Sequence, residues 1–420
     1  ASRRGDLASQ NLLGQLAQEF GTAIGHYGSL RDAIGRTDED GVWRPAKPDP
    51  SALARIMEPH ARGSILVAAI FEAFLTIYKT RVADLLRIAT NGTAVRPEGE
   101  LHPDLVNRLA DEAAKAASHV LGMCIRALDY CPPIDITFGD YLRAIITADH
   151  DLFPTDGRHY RLAFIDAFRR RGIFPQGVVT FSEDSLRFSR PAALEGELKG
   201  LLEEKIGDFL RDFRTAVTYV TDRKALDRIA RDYVRGGSEQ GLHKRIARKL
   251  ESPEFEQLTG LVFRPEWDKV GVRTSEAYGS GPSFQVQNLR VVSRSGEPDS
   301  AKNMIVFALV QRCGVIVRDG VVAGHYVPDA TQPPQGGFEF RGGCTMIFDL
   351  DTLQLRYSVT KPLLRFDSIH PQGAIDEKRV LAQHRYQRGE GLVAMDEHTR
   401  FFGRGLQGAA AEPFALLHLG

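Results

Sequence analysis

One change of texture constrains this chain more than anything else. Up to about residue 250, apolar residues recur at helical spacing; from about residue 255 they alternate, as strands half-exposed to solvent do. Within the helical part, Ile65 to Tyr78 is apolar nearly all round, as expected of a helix buried in a large domain. At 420 residues the chain is long enough for two or three domains. An α+β fold follows: a helical domain over residues 1–177, a helical connector over 178–254, and a β-rich module with an irregular tail over 255–420.

Local signals fill in the outline. Leu7, Leu12, Leu13, Leu16, Ala17 and Phe20 predict a helix ended by Gly25 and Gly28, and a polar loop follows from Arg36 to Pro50. The second helix covers 63–79. A third spans 103–129, with Leu105, Leu109, Ala113, Ala116, Val120 and Leu121 on one face, and ends at Pro132-Pro133. Thr137 caps a helix carrying Tyr141, Leu142, Ile145 and Ile146. Another carries Tyr160, Phe164, Ile165 and Phe168, and Gly172 closes it. In the connector, the stripe Leu201, Leu202, Ile206, Phe209, Leu210 and Phe213 is expected to pack against the first domain. Expected strands are 284–292, 304–310, 313–317, 344–349 and 353–359, with a hairpin turn at Asp349-Leu350-Asp351-Thr352. Beyond residue 365 the sequence reads as irregular.

Charge excludes some functions. Lys plus Arg equals Asp plus Glu at 54 each, so no global field favours nucleic acid or an anionic membrane. The basic run Arg169-Arg170-Arg171 ends a helix, where cations suit the dipole. The apolar stretch 65–78 is too short to span a bilayer, and Glu72 interrupts it. Four cysteines without a Cys-x-x-Cys pair argue against a thiolate zinc site. Reduced thiols in a cytosolic setting are the default, with disulfide pairing as the alternative. The chain begins at Ala1 rather than Met, which suggests that its natural start lies further upstream.

Two segments carry candidate chemistry. Tyr27-Gly28-Ser29-Leu30-Arg31 precedes Glu58-Pro59-His60-Ala61-Arg62-Gly63-Ser64-Ile65, and the segments 137–146 and 164–173 follow in order. Together they resemble the C-terminal part of a thermolysin-like (gluzincin) zinc metallopeptidase, over roughly residues 10–175. The resemblance implies an all-helical domain in which Arg31 holds a substrate carbonyl through its fork of donors. It implies that His60 donates to the tetrahedral intermediate, where one donor is worth about a hundredfold or more in rate. The family orients that histidine with a nearby carboxylate. Glu58 is the neighbour available here, at a spacing that departs from the pattern.

The family also needs zinc, held by His-Glu-x-x-His and a following glutamate. No His-Glu-x-x-His occurs in this sequence. Zinc therefore belongs to a complete enzyme whose metal-binding segment lies upstream, and this chain alone is expected to be inactive. Its partners would be a peptide or protein substrate and that upstream segment. The nearest metal-like group is Asp149-His150-Asp151 with His159, at a helix end where polar residues also satisfy backbone groups. The alternative function is a non-catalytic scaffold that binds a protein partner through the β-rich module.

Overall fold

The computed structural model describes residues 35–37, 43–45, 47–56, 59–92, 102–191, 202, 206–235, 241, 242, 246, 252–275, 281–294, 302–328 and 333–387. The helix expected over 7–25 lies outside them. Within the expected polar loop, 35–37 and 43–45 pair antiparallel.

Four helices build the first layer: α1 (Pro59–Ala89), α2 (Pro103–Ala127), α3 (Phe138–Leu152) and α4 (Tyr160–Arg170). Their ends are written locally. His102 caps α2 by accepting from the Asp104 amide at 3.2 Å, with proline at the first position. Thr137 caps α3 as expected and forms a full capping box. Its hydroxyl accepts from the Asp140 amide at 3.1 Å, and the Asp140 carboxylate accepts from the Thr137 amide at 2.9 Å. Gly172 closes α4 at φ +69°, while the amides of Gly172 and Ile173 bond back to the carbonyls of Arg169 and Phe168. α1 packs against α2 and α4, and α2 against α3. Leu109, Ala116 and Val120 of α2 are buried as expected, but Leu121 faces solvent. It sits 100° around the helix from Val120.

The second layer is an antiparallel five-stranded sheet: β1 (Gln285–Arg294), β2 (Lys302–Arg318), β3 (Val321–Tyr326), β4 (Gly337–Asp349) and β5 (Leu355–Lys361). β4 is paired with β2 along all of its own length, from Gly337 to Asp349. On its other side β2 pairs with β1 and then β3, and β5 lies outside β4. The expected strands 304–310 and 313–317 are one strand. Gln311-Arg312 reads as a polar break, but both side chains are accommodated. The Gln311 amide exchanges two bonds with the Val262 backbone, at 2.7 and 2.9 Å, and Arg312 pairs with Glu339 at 3.0 Å.

Alternation along the strands serves two cores. Met304, Val306, Ile347, Tyr357 and Val359 face the first layer of helices. Ile305, Phe307, Leu309, Met346 and Phe348 face the opposite way. That second face is covered by α5 (Gly207–Val217), α6 (Arg223–Arg235), α7 (Pro253–Thr259) and α8 (Glu377–Gln387). The connector stripe Leu202, Ile206, Phe209, Leu210 and Phe213 therefore packs on the sheet, not on the first domain. An amphipathic stripe shows that a helix has a partner without saying which one. The region expected to be irregular beyond 365 contains α8. Its buried Gln383 side chain accepts from the Arg341 amide at 3.0 Å and donates to the Arg341 carbonyl at 2.8 Å, extending the β4 ladder where β5 has ended. The chain is α+β, with one sheet held between two helical layers.

Candidate functional site

α1 starts at Pro59, so the backbone of His60 lies in its first turn. The His60 side chain, Glu58 and Arg31 lie outside the described residues. The segment just before α1 is tied to it. The buried Arg62 guanidinium donates to the carbonyls of Leu53 at 2.5 Å and Ile56 at 2.6 Å. Burial pushes the Arg62 pKa below its ordinary value. Leu53 also lines a cavity of about 160 Å³ with Pro50, Phe138, Gly139, Ile173 and Phe174. Two of its glycines leave no room for a side chain. A Cβ on Gly139 would lie 2.6 Å from Pro175 Cα, and one on Gly172 would strike the Pro50 carbonyl. The cavity's polar side chains are Thr137 and Gln176, so it supplies no acid or base.

The Asp149-His150-Asp151 group does not converge on a common point. Consecutive helical residues diverge by about 100°, and each of these finds its own partners. Asp149 is buried against Arg161 at 2.9 Å, with Arg126 at 3.4 Å and His119 at 3.6 Å. His150 faces Glu183 and Arg187. Its pKa is lowered by burial first, then by the charges of Arg187 and Arg161. His159 sits alone at the start of α4 in a left-handed conformation. Among the described residues no three His, Cys, Asp or Glu side chains cluster as metal ligands. Carboxylates already neutralised by arginines are poor cation ligands, so the described residues do not fit zinc.

Asp151, which the sequence offered only as part of a metal-like group, is instead a polar centre between the helices and the sheet. It accepts from Tyr130 Oη at 2.7 Å and Arg190 at 3.1 Å, and it pairs with Arg356, with Tyr357 Oη at 3.4 Å. These partners tie α3 to β5. One clue was available: a carboxylate within the apolar run of α3 is seldom buried without a cation. Similarly, Arg170 and Arg171 do more than suit a helix dipole, because both pair with Glu72 of α1. Burial pulls the Arg171 pKa down to about 10.

All four cysteines are free thiols. Burial pushes Cys131, Cys313 and Cys344 up to about 12, so none of the three is a nucleophile near neutral pH. α1 is longer than expected and is, by length and composition, apolar enough to cross a membrane. Nevertheless Ala69, Ala73, Ile77 and Val82 on it are buried in the core of the first layer.

No family model, curated protein or solved structure matches this chain. The architecture is α+β, and the functional reading therefore rests on the residues themselves.

Proposed function

We propose that this chain is the substrate-binding portion of a thermolysin-like zinc metallopeptidase. One observation carries the reading: His60 falls in the first turn of the 31-residue helix α1, and the segment resembling the family's closing helix, α4, packs along α1. The order of the motifs along the sequence supports the same reading. The described residues do not fit zinc and the sequence holds no His-Glu-x-x-His, so on this reading the ligands would come from an upstream segment. A zinc ion held by such a segment would supply an activated water. This chain's own residues then hold the peptide: Arg31 grips a backbone carbonyl, and His60, steadied by Glu58, donates to the oxygen that gains charge. The alternative, a scaffold that docks a partner on the β-rich module, has less support. Among the described residues, much of each sheet face is packed against helices, which leaves less of it for a partner.

The test uses the complete polypeptide with a furylacryloyl dipeptide amide as substrate. His60→Ala lowers kcat about a hundredfold or more with little change in KM. Arg31→Ala weakens binding of a fluorescein-labelled casein peptide, read by polarisation. Unchanged turnover in His60→Ala, or equal losses in kcat and KM, overturns the assignment.

A further inference from the structure

α2 buries one face in the first helical layer and leaves another open. On the open face Leu121, Ile125 and Leu128, just past the helix end, are 60%, 57% and 62% exposed. The same line continues toward the N-terminus through Ala117, Ala114 and Ala110, then Asn107, in steps of three and four residues. No charged residue interrupts it. Three large apolar side chains in one line make a contiguous patch that no described residue covers, of the size that often marks an interaction site.

The line is graded, with large residues at one end and small ones at the other. We propose that it is the interface between two copies of this chain, with α2 packed antiparallel against α2 of the second copy. A two-fold axis passing between Ala117 and Ser118 sets Leu121 opposite Ala114, Ile125 opposite Ala110 and Leu128 opposite Asn107. Every large side chain then meets a small or short one, and the same patch serves both copies, as a two-fold interface requires. A parallel pairing would set large against large and leave the alanines facing a gap. The antiparallel arrangement also opposes the two helix dipoles. The line spans about 32 Å at 1.5 Å per residue. Its side chains would bury on the order of 500 Å² per copy, about 1,000 Å² in total, the lower end for a specific interface.

The experiment measures the mass of the whole 420-residue chain by light scattering across a concentration series. The expected result is a species of twice 46.5 kDa that reverts to one chain in Leu121→Asp and in Ala117→Glu, with the circular dichroism of each variant unchanged. The second variant adds bulk at the axis without removing an apolar group, so a folding defect in one does not stand in for the other. Register is read by oxidation: Ser118→Cys cross-links to itself, whereas Asn107→Cys does not. A wild-type monomer at ~100 µM, a dimer that survives both substitutions, or cross-linking through Asn107→Cys in place of Ser118→Cys overturns the proposal. If the line is instead covered by another part of this chain or by a different protein, the first of these results appears.

Discussion

Replacing Asp151 tests whether its buried charge holds the helical layer to the sheet. The carboxylate is 0% exposed and faces two arginines of unequal standing. The Arg190 side chain is 60% exposed, so solvent screens its pairing and it contributes little. The Arg356 side chain is 16% exposed and, among the described residues, keeps Asp349 at 3.3 Å once Asp151 is neutral. Asp151→Asn preserves shape and an acceptor for Tyr130, so it removes chiefly one charge-assisted bond, about 2–3 kcal/mol. Asp151→Ala also removes the acceptor from Tyr130 and leaves space behind, which raises the cost to about 4 kcal/mol. In a chain of this size, at about 1 °C per kcal/mol, these losses lower the melting temperature by ~3 °C and ~5 °C. The assay follows thermal unfolding by circular dichroism and tryptophan fluorescence in parallel. Asp151→Asn melting within ~1 °C of the wild type, or as low as Asp151→Ala, refutes the assignment of the stabilisation to charge.

Two other perturbations follow from the same structure. Cys131, Cys313 and Cys344 ionise near 9 when unfolded and near 12 when folded, because burial disfavours the thiolate. Their raised folded values contribute stability that is full below pH 9 and lost as the pH climbs toward 12. Urea titrations should therefore show falling stability across that window, and at pH 8 a disulfide reagent should label these three thiols only after unfolding. Gly172→Ala places a side chain at φ +69° against the Pro50 carbonyl. Strain and collision together cost more than ~1 kcal/mol, which a melting curve would show, whereas Gly157→Ala, with open space around it, would be nearly neutral.

Local grammar was legible in the sequence, and long-range pairing was not. The Thr137 cap and the Gly172 terminator depend on residues within a turn of each other, so composition alone reveals them. Alternation revealed the strands, but Gln311-Arg312 split β2 in two because their partners, Val262 and Glu339, lie far away in sequence. The stripe through Phe209 and Phe213 announced a buried face without naming the sheet as its cover. Asp151 looked like a ligand because its true partners, Arg356 and Tyr357, lie about 200 residues downstream. Of the candidate site, the helix behind His60 was legible. Side-chain convergence was not, since 100° per residue scatters Asp149, His150 and Asp151 to different neighbours.

A sheet that serves two cores imposes an order on synthesis. The first helical layer has left the ribosome by about residue 190, but Tyr357 and Val359, which close its core, follow about 170 residues later. At translation speeds of roughly 5–20 residues per second, the inner face of those helices waits some ten to thirty seconds for its cover. During that interval the nascent chain presents an unsatisfied apolar surface to chaperones and to its neighbours. Expression slowed after residue 190 should therefore increase aggregation, and supplying residues 302–361 on a separate chain should not restore the yield.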